Sequence, residues 1–305
     1  MSESTGTVGA VRKPTVLRVR LQALVRLLGR LPLHLVIITV TLIWITPTVG
    51  LFISSLRPRD AVLSSGWWTV LAHPFNFTQY TLENYIVVLT AQGMGRAFLN
   101  SLIISIPSTI IPIGIAALAA YAFAWMEFPG RQTLFAIVVG LLVVPLQMTL
   151  IPVLRLYNQL GLSGTFLGIW LAHTGYGLPF AVYLLRNFFG ALPRELFESA
   201  FLDGASWFTA FTRLALPLSV PALASLAIFQ FLWVWNDLLV ALIYLGGTER
   251  VAPLTLRLTS LVNSLGQNWN LLTAAAFVSM ALPLVVFFSL QRYFVRGILA
   301  GSVKG

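Results

Sequence analysis

Cysteine is absent from the sequence. Disulfides, thiolate metal sites and catalytic thiols are therefore excluded, and cysteine usage gives no information on the redox compartment. The three histidines, His34, His73 and His173, lie far apart along the chain. Lone histidines are typical of packed or interfacial positions rather than of a shared metal site, so no metal centre is expected.

Charge is also scarce. Charged residues make up 9% of the 305-residue chain, whereas 58% of it is hydrophobic and the mean hydropathy is +0.87. Soluble domains carry about 25% charged residues, and a chain with so few could not cover its own surface in water. An ordinary soluble enzyme is therefore excluded, and so is a nucleic-acid-binding chain, despite a net charge of +10. The remaining class is a polytopic membrane protein.

Six stretches are long and apolar enough to cross a bilayer, which takes roughly 20 mostly apolar residues. Each is continuously apolar, whereas the strands of a membrane β-barrel alternate apolar and polar residues over short segments. The sequence therefore predicts an all-α polytopic membrane protein with six transmembrane helices. The predicted spans are Leu35–Leu56, Ala97–Ala124, Leu134–Leu156, Leu167–Leu185, Pro217–Leu245 and Leu272–Phe294.

Basic residues are unevenly shared between the two sides of these spans. Thirteen of the 19 Lys and Arg residues fall in the N-terminal arm, the loops after the second and fourth spans, and the C-terminal tail. Because basic loops stay on the inner side, this side and both termini are predicted to be cytoplasmic. Residues 1–32 are then a basic cytoplasmic arm and residues 33–305 the membrane domain.

Several motifs of catalysis are missing. A phosphate-binding P-loop needs Gly-Lys-Ser/Thr, and neither of the two lysines, Lys13 and Lys304, follows a glycine. The sequence also lacks His-Glu-x-x-His and Gly-x-Ser-x-Gly, so a membrane enzyme would have no visible catalytic residues. Intramembrane carboxylates, which usually couple secondary transporters to ion gradients, are nearly absent. A self-sufficient secondary transporter would instead show gradient-driven uptake without an ATPase.

The segment 187–217, in the predicted cytoplasmic loop between spans four and five, is the most informative. Pro193 suits a first helical turn, and Glu195 and Glu198 lie near the N-terminus of that helix, where the dipole favours negative charge. Gly204 is expected to end the helix, and Ala205–Arg213 starts a second one. Such a short amphipathic helix suits insertion into a partner's groove. Packing against the protein's own membrane base is the alternative.

This segment resembles the EAA loop of ABC-importer permeases, whose pattern is Glu-Ala-Ala, three residues, Gly, nine residues, Ile, one residue and Leu-Pro. Two positions depart from it, Ser199 for Ala and Leu214 for Ile. The likeness covers residues 33–305 and includes Ser55–Pro58 and Phe128–Arg131. The tail, from Gln291 onward, is most similar to alpha-glucoside permeases. The matching loop residues are Glu198, Ser199, Ala200, Gly204, Leu214, Leu216 and Pro217.

The resemblance implies the MalG-like permease subunit of a carbohydrate importer, with the type I ABC importer permease fold, in the bacterial cytoplasmic (inner) membrane. It implies a MalF-like second permease, two ATPase subunits, an extracytoplasmic binding protein and a sugar as partners. ATP and Mg²⁺ would be bound by the ATPase subunits, and no cofactor by this chain. The matching loop residues, together with Glu195 and Asp203, would couple the permease to the ATPases.

Polar and aromatic residues inside the spans are the candidates for the substrate pathway. Sugar sites combine aromatic stacking with polar groups that bind hydroxyls, although the same side chains could make interhelical hydrogen bonds near an aromatic belt. The outer segment 246–270 could fold over the mouth of the pathway or be a solvated connector. Possible helix breaks for alternating access are Pro107, Pro112, Gly114, Pro145, Gly175, Gly177 and Pro179. The pathway candidates are Gln147, Tyr176, Gln230, Trp233, Trp235, Asn236 and Asp237.

Overall fold

The computed structural model describes residues 16–246, 248–262 and 268–302. Helices dominate these residues, which contain no β-strand. The chain divides into two units, residues 1–53 and residues 54–305. The α-helices are α1 Val16–Ser55, α2 Arg59–Ser64, α3 Glu83–Thr90, α4 Met94–Trp125, α5 Arg131–Gly140, α6 Leu146–Leu160, α7 Phe166–Gly190, α8 Arg194–Leu202, α9 Trp207–Ala210, α10 Leu216–Leu218, α11 Val220–Trp235, α12 Leu239–Leu245, α13 Leu254–Leu261 and α14 Trp269–Ser302.

The described part of the first unit belongs to α1, a helix of 40 residues that contains Pro32 and Pro47. Its part Leu31–Ser55 has a mean hydropathy of 2.2 and is long enough to cross a membrane. The backbone stays helical through residue 33, where the sequence suggested that the arm ends. The described part of the arm and the first span are therefore one helix, and the division into an arm and a membrane domain stays a prediction.

The second unit is built around the pairing of α4 with α7, which is its most extensive helix–helix interface. Small side chains line it: Ala116 and Ala120 on α4 and Ala181 on α7 are all buried. Because apolar lipid gives no hydrophobic drive for helix association, membrane helices gain from the close backbone approach that small residues permit. Helix α11 packs against both helices, and α14 packs against α11 and α3.

Four of the six predicted spans are single helices. The first, second, fourth and sixth correspond to α1, α4, α7 and α14. Pro107 and Pro112 lie inside α4, and Pro179 inside α7, without interrupting either helix. Within the described residues, three helices are long and apolar enough to cross a membrane by length and composition, and α7 is not among them.

The third and fifth predicted spans are broken. A bend of 101° separates α5 and its short 3-10 continuation Leu141–Val143 from α6. Pro145 lies at this bend and, because proline disfavours helical geometry in the residue before it, explains why the helix stops. A second bend, of 73°, falls at Ser219. Counting each bent pair as one span gives up to five among the described residues, so the predicted six stays a prediction.

The predicted fifth span, Pro217–Leu245, is wrong as one continuous helix. Helix α11 begins at Val220 and ends at Trp235, and α12 begins only at Leu239. The interruption at the start coincides with Ser219, which is followed by Pro221 in the first turn of α11. Pro221 has no N–H to donate, so a bend here costs no hydrogen bond at that residue.

Candidate functional site

The predicted coupling loop forms a helix–turn–helix whose first helix is α8. Pro193 precedes the helix and Glu195 lies in its first turn. Glu198 and Ser199 are exposed, whereas Phe197 is fully buried. The helix therefore exposes its acidic residues, together with Leu196 and Leu202, and buries the aromatic side chain of Phe197.

Phe197 attaches α8 to the end of α4. Its ring stacks on Trp125, with centroids 3.9 Å apart and planes at 23°. Trp125 Nε1 donates a hydrogen bond to the carbonyl oxygen of Phe189 near the end of α7, at 3.1 Å. Phe189 is itself fully buried. One side chain of α8 is thus tied to the ends of the two central helices, so a displacement of α8 acts directly on them.

Gly204 makes the turn after α8. Its φ of +83° is in the left-handed region, which costs an L-residue with a side chain about 1–2 kcal/mol. The N–H of Gly204 donates to Phe201 O at 3.0 Å, and the N–H of Ala205 donates to Ala200 O at 2.9 Å. A Cβ on Gly204 would meet no atom within 4 Å. The requirement for glycine is therefore one of backbone conformation and not of space.

The second helix of the loop begins at once. Ser206 caps α9 by accepting a hydrogen bond from the N–H of Thr209 at 3.1 Å. A π-helical turn, Phe211–Ala215, joins α9 to α10. The ring centroids of Phe201 and Trp207 lie 4.5 Å apart, so α8 packs against the start of α9. Phe211 and Ala215 are buried in the cluster beneath the loop.

The predicted coupling residues divide into two groups. Ala200, Leu214 and Leu216 are half-buried, and the two leucines pack against the buried cluster of α4, α7 and α11. The others face solvent. Sequence reasoning missed Trp125 and Ser206, although serine directly before an apolar residue such as Trp207 is a recognisable start signal for a helix. The exposed coupling residues are Glu195, Glu198, Ser199, Asp203, Gly204 and Pro217.

Two of the predicted pathway residues belong to the packed framework. Gln230 is 6% exposed, and its Nε2 donates to Ser108 O on α4 at 3.1 Å. Trp235 is 2% exposed, and its Nε1 donates to Ser279 O on α14 at 3.0 Å. Both polar groups are used in bonds between helices, which is the alternative that the sequence left open.

Gly177 on α7 is the point of closest approach to Gln230. A Cβ at this position would lie 2.6 Å from Nε2 of Gln230 and 2.7 Å from Oε1. The Gln230 side chain would have to shift, which would strain its bond to Ser108 O. Gly177 therefore acts by close packing, and α7 does not bend there.

Replacing Gly177 with alanine is expected to destabilise the protein by about 1–3 kcal/mol, the range for overpacking a tight interior. Gly175→Ala is the matched control, because a Cβ two residues earlier meets nothing within 4 Å. Thermal unfolding of the detergent-purified protein should show a lower midpoint for Gly177→Ala only. Equal midpoints for the two variants would contradict the packing role.

Asp237 also has a structural role. Its carboxylate accepts hydrogen bonds from the N–H groups of Val240 at 3.2 Å and Ala241 at 2.9 Å. It therefore caps the N-terminus of α12 where the fifth predicted span is interrupted. His173 Nε2 lies 3.8 Å from Asp237 Oδ2, and the ring of Trp233 meets that of His173 edge-on at 5.5 Å.

Tyr176 links three helices. Its hydroxyl lies 2.9 Å from Thr149 Oγ1 on α6 and 2.7 Å from the hydroxyl of Tyr244 on α12. Tyr176 is half-buried, so its ring stays partly accessible. Gln147, Trp233 and Asn236 are exposed, although Asn236 Nδ2 donates to its own helix at Leu232 O. Gln147 and Trp233 thus keep the polar and aromatic groups most available to a substrate.

The described part of the outer segment is fastened to α4. Asn100 Nδ2 donates to the carbonyl oxygens of Arg250 and Ala252, at 3.1 and 3.0 Å, and Ser101 Oγ accepts from the N–H of Leu254 at 2.8 Å. These bonds involve backbone groups of a loop, so they fix its path irrespective of its side chains. A well-held loop fits the idea of a cover better than that of a free connector.

An ion pair stiffens the same segment. Arg257 Nη2 lies 2.7 Å from Glu249 Oε1. The Arg257 guanidinium lowers the pKa of Glu249, first through the hydrogen bond and then through its charge. The Glu249 side chain is largely exposed, so the pair is screened by solvent and salt.

Known proteins share much of this chain's sequence. The family described as binding-protein-dependent transport system inner membrane component matches residues 6–300. The chain is 68% identical to the osmoprotective compounds uptake permease protein GgtD of Synechocystis sp., covering 90% of this chain and 92% of GgtD. It is 46% identical to the alpha-glucoside transport system permease protein AglG of Rhizobium meliloti, covering 89% and 96%.

A solved structure shares the fold. It is the crystal structure of a bacterial ABC transporter involved in the import of the acidic polysaccharide alginate. The match has a TM-score of 0.61 at 18% identity and covers 90% of this chain and 99% of that chain. The predicted fold class, an ABC importer permease built of helices, is thereby confirmed.

Proposed function

Because the chain belongs to the family of binding-protein-dependent transport system inner membrane components, we propose that it forms half of the pathway of an ATP-driven importer for an alpha-glucoside. Its family consists of noncatalytic membrane subunits of importers that work with a binding protein and ATPase subunits. The chain is therefore a permease subunit and not an enzyme. We place ATP and Mg²⁺ on the ATPase subunits and both termini of this chain in the cytoplasm.

The observation that carries the coupling role is the attachment of α8. Its exposed side holds Glu195 and Glu198, and its buried side holds Phe197 on Trp125. A partner that binds the exposed side of α8 can move the ends of α4 and α7. The stacked rings of Phe197 and Trp125, and the hydrogen bond from Trp125 to Phe189, would transmit the displacement of α8. One side of α8 is therefore available to a partner, while the other side packs against the protein's own helices.

Two relatives indicate the class of the substrate. The name of AglG refers to alpha-glucoside transport, and the name of GgtD refers to the uptake of osmoprotective compounds. An alpha-glucoside that also serves as an osmoprotectant would fit both names. Polyhydroxylated compounds of this kind bind to aromatic faces and to polar groups, which Trp233 and Gln147 still offer. The other half of the pathway would be a MalF-like second permease.

The test is ATP hydrolysis by the complex purified through a tag on this chain. Reconstituted in liposomes, its ATPase activity should rise when the binding protein is supplied with an alpha-glucoside and should not rise with an acidic alginate oligosaccharide. Analysis of the same sample should show a second, different permease. A complex without a nucleotide-hydrolysing subunit, or uptake driven by an ion gradient alone, would overturn the proposal.

A further inference from the structure

We propose that a cleft beside the coupling helix binds the phosphate headgroup of an anionic phospholipid. The cleft has a volume of about 650 Å³ and lies between the end of α4, the start of α5, the end of α7 and α8. We call it the arginine cleft. The residues of its lining that carry the argument are Trp125, Glu127, Arg131, Arg186, Arg194 and Glu198.

The charge of the arginine cleft suits a singly charged anion. Three arginines and two glutamates line it, which leaves a net charge of +1. In the part of the chain that the structure describes, none of the three guanidinium groups lies within ion-pair distance of a carboxylate. Their charge is therefore not neutralised at short range within the chain. A phosphodiester would be the complementary group, since arginine binds phosphate oxygens through paired N–H donors.

Two of the three arginines, Arg131 and Arg186, are held by contacts within the chain, and Arg186 Nη1 also donates to Asn187 Oδ1 at 3.5 Å. Arg131 uses one nitrogen, Nη1, in a 2.9 Å bond to Met126 O. The Arg186 guanidinium stacks over the ring of Phe135 at 5.1 Å. Its Nε is buried and has no hydrogen-bond acceptor among the described residues. Because this Nε is buried, a phosphate oxygen in the cleft would instead meet the terminal nitrogens of the guanidinium groups that line it.

The neighbouring surface favours a lipid over a protein carboxylate as the source of the anion. Helix α5, which begins at Arg131, exposes Leu134 and Ile137. Arg131 thus lies where an exposed apolar helix face meets the basic, predicted cytoplasmic side. Acyl chains can cover such a face while the headgroup reaches the guanidinium groups. Basic pockets between membrane helices on the cytoplasmic side are typical sites for anionic lipid headgroups.

The experiment uses the whole transporter complex. It is purified in mild detergent, stripped of lipid, exposed to equal amounts of phosphatidylglycerol, phosphatidylethanolamine and phosphatidylcholine, and analysed by native mass spectrometry for retained lipid. The wild type should retain phosphatidylglycerol preferentially. One surface arginine contributes about fivefold to anionic lipid binding, so Arg131→Gln with Arg194→Gln should lower retention by more than about tenfold.

Three comparisons make the result decisive. Arg213→Gln removes an exposed arginine of the same predicted side outside the cleft and should leave retention unchanged. Arg131→Lys with Arg194→Lys should keep most of it, which separates loss of charge from misfolding. Added inorganic phosphate should not displace the lipid, whereas displacement would mean a free anion site.

Equal retention of all three lipids, or unchanged retention in the glutamine variant, would overturn the proposal. Loss of the ATPase subunits from the glutamine variant with lipid retention intact would also overturn it, because the cleft would then be a protein-docking surface. None of these outcomes depends on which substrate is transported, so the lipid site and the proposed function can fail independently.

Discussion

Replacing Gly204 with aspartate is expected to abolish most transport while leaving the amount of inserted protein unchanged. The φ of +83° would cost aspartate up to about 1–2 kcal/mol, and the chain can avoid this cost by unwinding the end of α8 or redirecting the turn. Either change moves Glu198 away from the place where a partner would meet it. A penalty of this size corresponds to roughly a tenfold loss of the coupled state.

Gly161→Asp is the control that distinguishes a coupling defect from general backbone strain. Gly161 ends α6 with a φ of +67°, and a Cβ there also meets nothing within 4 Å. The two substitutions therefore impose a similar backbone cost at different places. Uptake of labelled substrate into cells, normalised to the permease in membranes, should fall far more for Gly204→Asp. A similar fall in both variants would mean that strain alone explains the defect.

Replacing Phe197 with alanine should separate ATP hydrolysis from transport. The side chain is fully buried and stacked on Trp125, and phenylalanine-to-alanine changes in such sites cost about 3–5 kcal/mol. With this attachment lost, α8 can still meet its partner through its exposed side but no longer moves α4 and α7. We expect ATP hydrolysis to persist without stimulation by the loaded binding protein, and uptake to be lost.

Leu202→Ala is the control on the same helix. Leu202 is 89% exposed, so its truncation should leave the unfolding midpoint of the permease unchanged. A double-mutant cycle adds a direct measure of the stacking. Because Trp125 and Phe197 are in contact, the double alanine variant should be less destabilised than the sum of the single variants. Additive effects would show that the two rings act independently.

The sequence predicts the existence of the membrane helices better than their breaks. Long apolar runs identify α4 and α14 because a bilayer demands such runs. The prolines do not behave alike: Pro145 lies at a bend, whereas Pro107 and Pro179 lie inside continuous helices. Whether proline breaks a membrane helix depends on how neighbouring groups satisfy the freed carbonyl, and this is set by tertiary packing.

In the candidate site, too, local features were predicted from the sequence and tertiary contacts were not. The EAA-like spacing indicated a helix, a turn at Gly204 and a second helix, because each step follows from local residue chemistry. The partners of Gln230 and Asp237 could not be predicted, because polarity in a span does not reveal which group it meets. Trp125 was missed for a related reason, since its contact with Phe197 joins residues far apart in the sequence.

The π-helical turn Phe211–Ala215 lies between α9 and α10, at the base of the coupling loop. Such a turn holds one residue more than an α-helical turn, and one residue rotates a helix by about 100° about its axis. In a π-helical turn the wider winding absorbs this rotation, so deleting Thr212 would restore regular α-helical winding and leave the flanking segments turned by little. The surplus residue therefore marks a local departure from α-helical hydrogen bonding between the coupling loop and α11.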